Sequence, residues 1–205
     1  MKNYILLIVV FISANVSAQN TIRFSQLNFA QGVNNPAAIA FDGPIMGDLI
    51  ARNQWLGVEG APTTIAFNGQ YEINEDMAVG LNMFHDRIGA EITNSFAAQF
   101  AYRAKIDYER VFSFGISAGL DNSVLNFTGA QTTDFQDPTF ARGGYSQVFF
   151  NAAVGIFYNA PKFYAGFSVP KLFQNTREGA EKGFRVNRWH YYASTGFYLG
   201  QGKYV

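Results

Sequence analysis

Val111-Phe112-Ser113-Phe114-Gly115-Ile116-Ser117-Ala118-Gly119-Leu120 alternates without a break between a bulky apolar series and a small or polar one. Successive side chains of a strand point to opposite faces, so Phe112, Phe114, Ile116, Ala118 and Leu120 share one side and Ser113, Gly115, Ser117 and Gly119 the other. A helix would instead repeat its apolar positions at a spacing of about 3.6 residues.

The same period extends in both directions. Upstream, Thr63, Ile65, Phe67, Gly69 and Tyr71 alternate with Thr64, Ala66, Asn68, Gln70 and Glu72, and Phe96, Ala98, Phe100 and Tyr102 oppose Ala97, Gln99, Ala101 and Arg103. Downstream, Val148, Phe150, Ala152, Val154, Ile156 and Tyr158 continue it, followed by Phe163, Ala165, Phe167 and Val169, then Tyr191, Ala193, Thr195, Phe197 and Leu199. Two less regular segments, near residues 46–55 and 77–86, bring the expected total to eight strands. Each is about 9 to 13 residues long, close to the length of a tilted strand crossing the hydrocarbon layer.

Composition agrees with a sheet that has a large non-aqueous face. The chain has 205 residues, 17% of them aromatic and only 15% charged, with 20 Gly, 21 Phe and no Cys; a soluble domain has about a quarter charged residues. Disulfide scaffolds, zinc-thiolate sites and thiol nucleophiles are excluded. A formal net charge of zero, with scattered Lys and Arg, argues against a nucleic-acid surface.

Residues 1–18 read as a secretory signal peptide: Lys2 precedes an apolar run over residues 4–12, and Val16-Ser17-Ala18 supplies small residues for cleavage. The mature chain is then expected to begin at Gln19, with a single outer-membrane barrel domain over residues 19–205. The apolar run is too short for a transmembrane helix, which takes about 20 residues, and nothing later supplies one.

Two architectures fit the alternation. In a soluble sandwich or lipocalin-type barrel the bulky face is the core and the outer positions usually carry Lys, Glu and Thr. In a membrane barrel the bulky face meets lipid and small or polar residues line the lumen. Connection lengths favour the second, because short ones (72–76, 104–108, 159–161) alternate with those assigned to the long-loop side (56–62, 87–92, 121–144, 171–188), as external loops do. The first strand is therefore expected to run outward from the periplasm. Residues 201–205 read as a further turn and the start of another strand, so the expected fold is an antiparallel outer-membrane β-barrel, incomplete in this chain, with more strands in the full length.

Asn34-Asn35-Pro36-Ala37, Arg52-Asn53-Gln54-Trp55 and Gly60-Ala61-Pro62-Thr63-Thr64 resemble the PorP/SprF family of the type IX secretion system. So do Asp86-Arg87-Ile88-Gly89, Gly115-Ile116-Ser117-Ala118-Gly119-Leu120, Asp137-Pro138-Thr139-Phe140, Tyr164-Ala165-Gly166-Phe167-Ser168-Val169 and Arg188-Trp189-His190-Tyr191-Tyr192, so that the resemblance covers the whole mature chain. It implies a non-enzymatic outer-membrane barrel that supports export or surface anchoring of adhesin-like proteins. Its implied partners are outer-membrane lipid, periplasmic components of the secretion or gliding apparatus, and a secreted surface protein. Under it, Asn35, Pro36, Arg52, Gln54, Trp55, Gly60, Pro62 and Thr63 are the motif positions expected to carry structure or partner binding. Strand register sends Arg52 and Trp55 to opposite faces, Arg52 toward the lumen and Trp55 toward the interface.

No catalytic, cofactor or metal site is expected. His85 and His190 are the two imidazoles, and neither is accompanied by a serine elbow or a carboxylate pair. His85-Asp86 reads as an interfacial contact, and His190, beside Trp189, Tyr191 and Tyr192, as part of an aromatic girdle. Asp121, Asp134 and Asp137 lack the spacing and central Gly of a calcium loop. The glycines at 115 and 119 lack a following Lys-Ser or Lys-Thr and a helix, so close packing in a sheet explains them better than a phosphate cradle. A second reading, a barrel for passive transport of a small apolar solute, fits the same aromatic strands.

Overall fold

A computed structural model describes residues 31–39, 41, 43–126, 144–175, 184–185 and 189–198. The strands are β1 (Ile45–Asn53), β2 (Thr63–Asn74), β3 (Met77–Ile88), β4 (Glu91–Lys105), β5 (Val111–Asn126), β6 (Gly144–Asn159) and β7 (Phe163–Val169), then two short ones, β8 (Gln174–Asn175) and β9 (Phe184–Arg185), and finally β10 (Tyr192–Phe197). Eight of them form one antiparallel meander in the order β1-β2-β3-β4-β5-β6-β7-β10, curled into a half-barrel, while β8 and β9 pair separately. Among the described residues no helix is long and apolar enough to cross a membrane.

Register sets bulky residues side by side on the convex face. Leu49, Phe67, Met83, Phe96, Leu120 and Phe150 are successive Cα partners from β1 to β6, and Tyr102, Phe114, Ile156 and Phe167 form a second such row. These side chains are exposed: Leu49 is 73% accessible and Phe114 52%. The concave face is the reverse, since Asn68 and Ser113 are fully buried and Thr64, Asp86, Gln99, Arg103 and Ser168 nearly so. A water-soluble domain buries its apolar residues and exposes its charges, so this distribution belongs to a sheet solvated by lipid outside. The lipocalin-type arrangement, with bulky residues inside, is excluded by these side-chain directions.

Two connections differ from expectation. Residues 87–92 were expected to form a loop, yet pairing continues to Ile88↔Glu91 and only Gly89-Ala90 turns, with Gly89 at φ 58°. A left-handed conformation of that kind is what glycine permits at a tight hairpin. Likewise β5 and β6 pair as far as Asn126↔Gly144, so Asp121 lies within a strand and not in a loop. In both places the strands continue beyond the apolar band, where hydrophobic alternation no longer marks them. Asp134, Asp137 and the predicted signal peptide lie outside the described residues.

At the opposite end, where β2–β3, β4–β5 and β6–β7 connect, local polar contacts close the turns. Asn74 Oδ1 accepts from Asp76 N (2.9 Å), and Asp107 Oδ1 accepts from Glu109 N (3.0 Å) and Arg110 N (2.8 Å). The Arg110 side chain also hydrogen-bonds Asp107, which holds that carboxyl below the usual carboxylate range. Lys105 likewise pairs with Glu75 and lowers it.

Candidate functional site

Register gathers the smallest inward residues into one row. Glu72, Ala78, Ala101, Gly115, Gly155, Ser168 and Tyr192 are successive partners from β2 to β10. Between Glu72 and Ser168 nothing in that row is larger than a methyl group, so the concave face is grooved.

Residues 31–39 lie in the groove as two single 3-10 turns, Gln31–Val33 and Pro36–Ala38. The local sequence dictates this form. Proline excludes the helical region for the residue before it, so Asn35 is extended (φ −132°, ψ 105°), and proline's own fixed φ starts the turn. The Asn35 side chain then caps it: Oδ1 accepts from Ala37 N at 3.0 Å, while Nδ2 donates to Ile156 O of β6 at 3.1 Å.

The groove fits because glycine lines it. A Cβ on Gly115 would overlap the backbone of Pro36 and Ala37, and one on Gly155 would overlap Asn35 Oδ1. At Gly166 a Cβ would sit 2.8 Å from the Phe157 ring and 3.0 Å from Asn35 Nδ2. Pro36, Ala37, Ala38 and Ile39 are buried, and Phe41 packs on Phe157 with ring centroids 5.0 Å apart.

Three strands hold three consecutive carbonyls of the segment. Gln99 Nε2 of β4 donates to Gly32 O (2.7 Å), Asn82 Nδ2 of β3 to Val33 O (2.9 Å) and Ser168 Oγ of β7 to Asn34 O (2.8 Å). Behind Gln99, amides continue the network: Asn68 Nδ2 donates to Gln99 Oε1 (2.8 Å), and Gln70 Nε2 to Asn68 Oδ1 (2.6 Å). Toward the tight-turn end, Arg103 pairs with Glu72 at 3.1 Å and lies 5.8 Å from the Phe41 ring centroid. Buried charge is tolerable there because it is paired and hydrogen-bonded.

Apart from Arg52 on β1, the predicted motif positions divide into two groups. Asn35 and Pro36 lie in the groove. Gln54, Trp55, Gly60, Pro62 and Thr63 belong to the β1–β2 connection at the other end, with Thr63 opening β2. There Gln54 N donates to Pro62 O (3.0 Å), Val58 N to Trp55 O (3.0 Å) and Gly89 N to Gly60 O (2.9 Å), so the connection docks on the β3–β4 turn. Trp55 is 70% exposed at φ 50°, and Gly60 has φ 74°. Arg52 is half-buried on the concave face, in one row with Thr64 and Asp86, whose carboxylate accepts from Thr64 Oγ1 at 2.6 Å.

His85 points outward, its Nδ1 2.7 Å from Asn94 Oδ1, and Asp86 faces the opposite way. Asp121 pairs with Lys171 at 2.9 Å and accepts from Ser95 Oγ at 2.5 Å. Among the described residues no three His, Asp or Glu side chains converge.

Sequence reasoning missed the groove residues Gln99, Asn82, Ser168 and Gly155. Sheet packing does account for Gly119, which abuts Phe96 and Ala97 of β4, but Gly115 is small because the 31–39 segment crosses it. The combination of tight-turn lengths with inward small residues was the available signal, since those lengths fix which Gly and Ala become neighbours.

An all-β half-barrel with lipid-type residues outside and a polar, occupied interior is of the outer-membrane β-barrel class. The family model for the type IX secretion system membrane protein PorP/SprF matches residues 16–203. The chain belongs to that family. No curated protein and no solved structure matches it.

Proposed function

We propose that this protein is a non-enzymatic outer-membrane component of the type IX secretion system that supports secretion or surface anchoring of adhesin-like proteins and contacts periplasmic parts of the machinery. Membership of the PorP/SprF family is the observation that carries the reading. The apolar convex face supports an outer-membrane location, reached after cleavage of residues 1–18. The long connections then face outward, which puts the Trp55 loop at the cell surface and the Asp107 turn in the periplasm. The segment seated across the concave face argues against an open conduit for apolar solutes.

Fractionation of the full-length protein tests the location, because recovery from the periplasm without detergent would overturn it. A deletion strain tests the role. Loss of secreted or displayed adhesin with normal solute uptake is expected; impaired uptake with normal secretion would replace this reading by the transport one.

A further inference from the structure

The contacts that hold residues 31–39 are of an unusual kind for a chain packing on itself. Gln99, Asn82 and Ser168 come from three different strands, yet they address three consecutive carbonyl oxygens and no side chain of the segment. Among the described residues, side chains of the segment are read at Asn35, whose amide bridges Ala37 N and Ile156 O, and by apolar packing, Ile39 against Ala78 and Ala101. A wall of that design recognises a backbone path followed by an Asn-Pro turn, the way a receptor recognises a peptide.

The resident segment also leaves the wall partly unsatisfied. Ser113 is fully buried on the concave side, two positions along β5 from Gly115, and its Oγ makes no hydrogen bond among the described residues. Asn82 uses its amide NH2 on Val33 O, while its buried Oδ1 has no partner among the described residues. Ser194 Oγ, 2.7 Å from where a Cβ on Gly166 would stand, is in the same condition. Buried polar groups are normally paired, so these three stand out on the concave side.

We propose that the concave face of β3–β7 is a peptide-binding site whose ligand is a short polypeptide presenting three successive carbonyls ahead of an Asn-Pro turn. Residues 31–39 are its tethered occupant and exchange with a free peptide of the same form. This inference stands on the groove alone and does not require the secretion role.

The test uses the full mature chain, folded in detergent, with a protease recognition sequence inserted before Gly43. After folding, cleavage severs the covalent link between the segment and β1. Size exclusion then asks whether the N-terminal fragment stays with the barrel, and a fluorescent peptide of residues 31–39 asks whether the site rebinds it. The expected result is co-elution of the fragment, its displacement by excess 31–39 peptide, and binding weakened roughly tenfold or more for the Asn35→Ala peptide, which lacks both amide hydrogen bonds. Gly155→Ala in the full chain, whose methyl group meets Asn35, is expected to weaken rebinding while the barrel keeps its gel mobility. Three results would overturn the proposal: a fragment that leaves with no peptide binding, a fragment that no excess of peptide displaces, or a barrel that unfolds on cleavage, which would make the segment a fixed staple.

Discussion

Gly155→Ala adds one methyl group at the point where β6 meets Asn35. The new Cβ overlaps Asn35 Oδ1 and lies 3.2 Å from Ser168 Cβ, so the amide must leave its place. Two hydrogen bonds go with it, from Ala37 N at 3.0 Å and to Ile156 O at 3.1 Å. At about 1 kcal/mol net for each, plus about 1–3 kcal/mol for buried groups left unpaired, the expected loss is about 3–5 kcal/mol. Ala is otherwise favoured over Gly in a strand by roughly 0.5–1 kcal/mol, which offsets part of it. Gly47→Ala is the control, because its Cβ would find nothing nearer than the Phe67 ring at 3.9 Å, and it should be neutral or slightly stabilising. Urea unfolding from lipid vesicles measures both, with proteolysis of residues 31–39 as a second readout. Combining Gly155→Ala with Asn35→Ala should cost little more than Asn35→Ala alone, since the collision is with that side chain. Full additivity of the two substitutions, or a Gly155→Ala barrel as stable and as protease-resistant as the native one, would refute the seating of the segment.

Arg in place of Phe114 or Val154 on the convex face should cost roughly 2–4 kcal/mol near the bilayer midplane, and Arg in place of Ser117 or Asn151 on the concave face less, as the same unfolding assay would show. Fluorophores on cysteines at Phe114 and Val154 should be quenched by a lipid-embedded quencher, whereas labels at Ser117 and Asn151 should not. Arg103→Ala should destabilise by about 3–5 kcal/mol, because it strands Glu72 on the concave face; Arg103→Ala with Glu72→Ala should recover part of that loss. The Asp107 turn should respond to acid in a defined direction: its lowered folded-state pKa makes its contribution complete above the ordinary carboxylate value and lost as pH falls through the folded one. Asp107→Asn should therefore loosen this turn to protease at neutral pH and make no difference in strong acid.

Much of the sheet was legible because lipid and lumen impose opposite demands on alternate residues. In β5, Phe114 and Ile116 had to be bulky and Ser113 and Gly115 small, so period, face and strand order followed from the sequence. What failed to show was whatever lies outside that band. Ser123 and Asn126 extend β5 with polar residues on both faces, and alternation has no meaning once water meets both sides. The Asn34-Asn35-Pro36-Ala37 segment has no period at all, so its motif could be noticed but its place could not. That place depends on contacts with residues such as Gln99 and Ser168, whose convergence is a property of register and curvature. Arg52 lies on the concave face, but Trp55, expected to be set by strand register, lies in a loop with its own hydrogen bonds, where register assigns it no face.

The span of sequence bridged by the groove has a kinetic meaning. Asn34 and Ser168 are 134 positions apart, and Asn35 and Ile156 are 121 apart, so the ends of these contacts are synthesised and exported at very different times. Contacts of such separation form late, after the intervening chain has been ordered. The first part of the described chain to emerge is thus among the last to settle, and it cannot do so until β7 has taken its position beside β6. First docking of the Asn-Pro turn is in effect a completion signal for assembly: it cannot occur before the later strands have arrived.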